Sequence, residues 1–150
     1  MQLQSSWKSG MKFEANADGK TALMDAKAPI GKGEAMTPKE LVAAGLVGCT
    51  AMDVIALLKK HKQPVTALTV DADIETSTGQ QPAVFTSALL TFRATGEISA
   101  EILLDAVHLS QTKYCGVSAM LSRAFPIRYT VELNGGKIGE GAADFGGSHG

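Results

Sequence analysis

The sequence predicts an α+β fold in which antiparallel sheet encloses a long apolar central helix. Three observations carry this. A capped helix start at Thr37 leads into an apolar run ending near Leu58. Two stretches of period-two alternation follow Pro64. The resulting order is strands, long helix, strands, helices, strand, and elements that do not alternate regularly indicate α+β rather than a parallel α/β sheet. One domain is expected over residues 1–133, followed by a glycine-rich flexible tail over 134–150.

Each element has its own local signal. Met11 to Ala15 alternates apolar and polar, Asp18-Gly19 is a type I′ hairpin dipeptide, and Thr21 to Met24 is the returning strand. Ala26 to Ala35 holds glycine and proline without periodicity and reads as a loop. At Thr37-Pro38-Lys39-Glu40 a capping threonine precedes proline at the first helical position, with glutamate three residues after the cap. That helix should reach about Lys60, where Gln63-Pro64 stops it. Leu68, Val70, Ala72 and Ile74 then mark one half-buried strand, and Ala88, Leu90, Phe92 and Ala94 a second. Ser99 caps a helix to about Gln111, and Lys113 to Val117 is a connector carrying Cys115. A short helix over about Ser118 to Ala124 and a last strand through Ile127, Tyr129, Val131 and Leu133 complete the domain.

Between Leu41 and Leu58 the only charged residue is Asp53. Such a run approaches the length of a membrane span, about 17–25 residues. A carboxylate at a bilayer centre costs on the order of 2.5–3.5 kcal/mol, and Gly45, Gly48 and Thr50 lower the hydropathy further. A helix buried on all sides by protein is the better expectation, with no membrane partner. Ala44 and Gly48 share a face and permit close approach of another backbone, so a homodimer is expected to supply part of that burial.

Composition excludes several classes. A formal charge of −1 and no basic run beyond Lys59-Lys60-His61-Lys62 leave no footprint for nucleic acid. Two cysteines are too few for a disulfide framework or a four-ligand zinc site. Met1 to Gly10 is polar, carries Trp7 and lacks a secretory pattern, from which a cytoplasmic location is expected. His61, His108 and His149 have no ligand spacing; the first two read as solvated helix residues, and Trp7 and Tyr114 as packing residues.

Chemistry therefore falls to the cysteines. Cys49 lies in the apolar helix, where a free thiol ordinarily packs as a small hydrophobe. Cys115 sits in a polar connector before a helix start, a setting that favours thiolate. It is not part of a CxxC pair, which excludes a thioredoxin-like motif. If the two meet, one can reduce a peroxide and become a sulfenic acid, and the other can condense with it to a disulfide. Asp53 follows Cys49 by one helical turn and shares its face. Its plain reading is a paired polar residue, and its functional reading a proton acceptor.

Two segments give this a context. Thr37 to Cys49, with Pro38, Glu40, Leu41 and an alanine/glycine-rich run into Cys49, resembles the first-cysteine pattern of the OsmC/Ohr family. Tyr114-Cys115-Gly116-Val117-Ser118 resembles its second-cysteine motif, usually Cys-Pro-Val-Ser. The resemblance spans about Leu3 to Leu133 and implies an OsmC-like intertwined homodimer, its two long helices enclosed by sheets. It implies a thiol peroxidase acting on small organic hydroperoxides, with Cys49 peroxidatic and Cys115 resolving. No metal or haem cofactor is implied; the reductant is an external dithiol such as a protein-bound lipoyl group.

The departures from the pattern mark a divergent branch. Well-studied members carry a glutamate directly after the motif proline, paired with an N-terminal arginine that activates the thiolate. Lys39 occupies that position here, and no arginine precedes Arg93. Glu40, Lys39, Lys12 and Asp53 are the supporting candidates, with Lys8 a further source of charge. A lysine lacks the planar fork of arginine, and Gly116 in place of proline loosens the turn at Cys115. Two alternatives stay open: a non-enzymatic dimeric module binding a small apolar ligand, and a thiol redox sensor.

Overall fold

The computed structural model describes residues 1–146 and divides into two compact units, Met1–Ala44 and Gly45–Gly150. The first unit is a three-stranded antiparallel meander of β1 (Gln4–Ser9), β2 (Lys12–Ala17) and β3 (Lys20–Met24). Asp18 and Gly19 both take positive φ, 52° and 80°, the type I′ geometry expected of that dipeptide. The loop after β3 is more ordered than its sequence suggests. Buried Asp25 accepts from the Ala26 N–H at 2.7 Å and the Glu34 N–H at 3.1 Å, which folds the segment back on itself. The Glu34 N–H bond leads the contacts that hold the Asp25 carboxyl below its ordinary range.

Helix α1 (Pro38–Lys60) begins in this unit and continues into the second. Its start is a reciprocal capping box: Thr37 Oγ1 accepts from the Glu40 N–H at 3.1 Å, and Glu40 Oε1 accepts from the Thr37 N–H at 3.0 Å. It closes in a Schellman motif, with Lys62 at φ 53° and the Gln63 N–H bonded to Leu58 O at 2.9 Å. Contrary to the expected enclosure on every side, only the stripe Leu46, Thr50, Val54 and Leu58 is buried within one chain. Met52 is 74% exposed and Val42 44%.

The second unit is a four-stranded sheet in the order β4 (Val65–Thr76), β5 (Phe85–Gly96), β6 (Ile127–Leu133), β7 (Gly136–Ala142). Pairing is antiparallel except between β5 and β6, which run parallel. A parallel pair needs a crossover, and α2 (Ala100–Leu109), a π-helical turn at Ser110–Tyr114 and α3 (Gly116–Leu121) supply it. Ser99 Oγ caps α2 by accepting from the Ile102 N–H at 3.3 Å. Alternate residues of β5 (Ala88, Leu90, Phe92, Ala94) and of β6 (Ile127, Tyr129, Val131) face the core with Leu46, Val54 and Leu58 of α1 and Leu103 and Val107 of α2. Phe92 and Tyr129 meet edge to face, centroids 6.1 Å apart.

The expected flexible tail is corrected over most of its described length. Asn134 and Gly135, at φ 50° and 86°, form a second type I′ turn that leads into β7. The glycines of β7 serve close packing. A Cβ at Gly141 would lie 2.5 Å from the Tyr129 hydroxyl, and one at Gly139 would lie 2.5 Å from Leu104 Cδ2. Residues 147–150, including His149, lie outside the described residues.

Candidate functional site

Cys49 stands on the second unit's part of α1, one residue before buried Thr50 and one turn before Asp53. Its side chain is half-buried, where a fully packed thiol was the plain sequence reading. Cys115 departs from expectation in the opposite direction. The connector proves to be the π-helical turn, and Cys115 at its end is fully buried as the N-cap of α3. Its Sγ accepts from the Ser118 N–H at 3.3 Å.

The two sulfurs, distant in sequence, meet. Cys49 Sγ, Cys115 Sγ and a carboxylate oxygen of Asp53 all lie within 4.8 Å of one another. Both cysteines are free thiols. Burial pushes the Cys115 thiol up, Ser118 opposes that through its hydroxyl and N–H, and the neighbouring Cys49 adds to the rise. Cys115 therefore rests as a neutral thiol, against the thiolate expected from its connector position. Low dielectric around it outweighs one hydrogen bond.

Behind the thiols runs a buried polar chain that no sequence motif announces. Gln111 Nε2 donates to Thr50 Oγ1 at 2.9 Å, Thr50 and Ser110 hydroxyls lie 2.7 Å apart, and Ser110 Oγ donates to Asp53 Oδ2 at 2.9 Å. Ser110 directs its single proton to Asp53, so the middle bond runs from Thr50 to Ser110. Three groups thus point their protons one way, toward the carboxylate, and such chains strengthen each member. Ser110 and Gln111 belong to the π-helical turn, a distortion that recurs at functional sites. The available signal was the polar pair Ser110-Gln111 following the apolar stripe of α2.

The remaining sequence candidates lie in the first unit. Glu40 is engaged in the capping box, and the Thr37 N–H holds its carboxyl below the ordinary range. Lys12 pairs with Glu34 at 3.2 Å, and Lys8 with Glu14 at 3.6 Å. Lys39 is exposed at the start of α1. Arg93 lies on the sheet between Asp71 and Glu132, the latter at 3.1 Å. His61 and His108 are exposed, as expected. Trp7 and Tyr114 are exposed rather than packed; the Trp7 indole donates to Gly10 O at 2.8 Å, and Lys113 Nζ sits 5.3 Å from the Tyr114 ring centre.

Fold and site together define an α+β protein built around a paired-thiol centre. The chain belongs to the OsmC-like family, whose description, OsmC-like protein, matches residues 31–130. Protein YhfA of Escherichia coli K12 is 33% identical over 138 residues, 89% of this chain and 98% of that protein. Among solved structures, the OsmC-like protein of Mycoplasma pneumoniae superposes with a TM-score of 0.76 at 13% identity, over 88% of this chain and 95% of that one. An organic hydroperoxide resistance protein OsmC of Legionella pneumophila gives a TM-score of 0.60 at 15% identity, over 87% and 95%. The OsmC-like fold is thereby shared with proteins named for organic hydroperoxide resistance.

Proposed function

We propose that the chain is a thiol-dependent peroxidase for small organic hydroperoxides, with Cys49 peroxidatic and Cys115 resolving. The observation that carries this reading is a half-buried thiol held within 4.8 Å of a fully buried one. A peroxide reaches the accessible sulfur first, and the sheltered sulfur waits for the product.

The Cys49 thiolate attacks the distal oxygen of ROOH and the O–O bond breaks. ROH leaves after taking up a proton, and Cys49 becomes a sulfenic acid. The Cys115 sulfur then attacks the Cys49 sulfur, the S–O bond breaks, and water leaves as the disulfide forms. Because burial keeps Cys115 protonated, this second step needs a base. Asp53 is within reach of both sulfurs, and Ser110 orients its carboxylate. Its role is to take the Cys115 proton and pass it to the departing hydroxide. An external dithiol, such as a protein-bound lipoyl group, restores both thiols by exchange. No bound cofactor takes part, and such a cycle fits a reducing cytoplasm.

The working unit in this reading is a homodimer. Outside its buried stripe α1 is largely apolar and half-buried, with Val42, Met52 and Ala56 exposed, and a Cβ at Gly45 or Gly48 would meet nothing within 4 Å. A groove of ≈ 620 Å³ on the same helix is lined by Met52, Ile55, Ala56, Val65 and Leu68. By length and a mean hydropathy of 2.2, α1 also passes as a membrane span. Its Leu46–Leu58 stripe is nevertheless part of the unit's own core, which favours a second copy over lipid as the cover.

The test is consumption of cumene hydroperoxide with a dithiol reductant. Wild type should turn over, and Cys49→Ser should fall to the uncatalysed rate. Equal rates for the two proteins would remove the peroxidase reading. Rapid oxidation without turnover would mark a redox sensor instead.

A further inference from the structure

The cluster of Cys49, Asp53 and Cys115 has a second chemical capacity. Two sulfurs and one carboxylate oxygen within 4.8 Å of one another are three donors converging on a single point. A tetrahedral zinc ion with Zn–S bonds of about 2.3 Å holds two thiolate sulfurs about 3.8 Å apart. The present separations, none above 4.8 Å, exceed that value by about 1 Å at most.

The surroundings match what a metal centre requires beyond its ligands. Ser110 holds one oxygen of Asp53, Oδ2, at 2.9 Å and leaves the other oxygen for a cation. Thr50 fixes Ser110 in turn at 2.7 Å, and Gln111 fixes Thr50 at 2.9 Å. The Ser118 N–H, 3.3 Å from Cys115 Sγ, stabilises the charge a bound thiolate would carry. Oriented outer partners of this kind tune ligand direction and affinity. Thiolates select zinc or copper(I) over magnesium and calcium, and the carboxylate tilts the set toward zinc.

We infer that the reduced protein binds one Zn2+ per chain through Cys49 Sγ, Cys115 Sγ and Asp53, with the fourth position open to solvent on the Cys49 side. Binding releases the two thiol protons as both Zn–S bonds form. Disulfide formation removes both thiolate ligands, so oxidation expels the ion. A bound ion in turn holds the thiols apart from peroxide and from each other. The site stands on geometry alone, and only this last consequence rests on the peroxidase reading.

Reduced full-length protein titrated with Zn2+ against a chromophoric chelator should bind one ion per chain. Titration with Co2+ should give a thiolate-to-cobalt charge-transfer band with tetrahedral ligand-field bands. Disulfide-oxidised protein should show neither. Asp53→Asn should weaken Zn2+ binding at least about tenfold, and Ser110→Ala by about tenfold. Cys115 is buried, so Cys115→Ser is judged alongside its circular dichroism, and the Asp53 and Ser110 variants decide if it fails to fold. A wild type with no thiolate–cobalt band, or with the same Zn2+ affinity as Asp53→Asn, overturns the inference. Peroxide turnover measured without metal is a separate readout: its loss leaves the zinc site standing, and its presence beside absent binding removes the zinc site alone.

Discussion

Ser110 Oγ donates to Asp53 Oδ2 at 2.9 Å, tying the π-helical turn after α2 to the thiol-bearing face of α1. The bond is the last of three that deliver donated protons to one carboxylate between two cysteines. It fixes which way that carboxylate faces, and four expectations follow from this arrangement and from the packing around it.

Ser110→Ala removes the donor to Asp53 and leaves the Thr50 hydroxyl without its acceptor. Stranding buried polar groups costs about 1–3 kcal/mol. Urea denaturation should show a loss of that size. In the peroxidase reading the same variant forms the disulfide more slowly than wild type after peroxide addition, followed by quenched mass spectrometry, while the initial oxidation of Cys49 keeps its rate. A variant as stable as wild type would show that the chain is not a connected unit.

Alkylation should separate the two thiols. In the folded protein, iodoacetamide should label half-buried Cys49 first, and Cys115 only on unfolding. Burial raises the Cys115 value, so the folded state holds that proton more tightly than the unfolded chain does. Its contribution to stability is complete below the ordinary thiol range and is lost as pH rises through the raised folded value. Stability measured across the alkaline range should therefore fall less steeply in Cys115→Ala than in wild type.

Gly141→Ala should destabilise the protein by about 1–3 kcal/mol, the usual cost of overpacking. The new methyl would meet the Tyr129 ring and hydroxyl, held between β6 and the core. Gly139→Ala should cost less, since its obstacle is the free end of Leu104. Thermal unfolding of the two variants checks the order.

Met52→Glu places a charge on the uncovered face of α1. Sedimentation should find wild type as a dimer and the variant as a monomer or a much weaker dimer. A variant that dimerises like wild type would place the interface elsewhere.

Much of the fold was legible because its signals are local. The Asp18-Gly19 turn, the Thr37–Glu40 capping box and the α1 stop before Pro64 depend on a few adjacent residues, and each formed where expected. Burial was less legible, since it depends on partners distant in the chain. Cys115 sits in polar sequence yet is fully covered, and Cys49 sits in apolar sequence yet is half open. Strand β7 escaped because glycine reads as freedom in a sequence, whereas Gly139 and Gly141 make room for Leu104 and Tyr129. The Asn134-Gly135 turn was the signal that should have found it. Of the site, the two thiols and Asp53 were visible. The Gln111–Thr50–Ser110 chain was not, because it joins α1 to a helical distortion that no propensity announces.

The most direct test of the paired-thiol account is to add one equivalent of cumene hydroperoxide to the fully reduced protein, quench in acid, digest, and map the cysteines by mass spectrometry. The account predicts a single peptide pair joined through Cys49 and Cys115 of one chain. Recovery of both as free thiols, or of Cys49 as a sulfinic acid with Cys115 untouched, would contradict it.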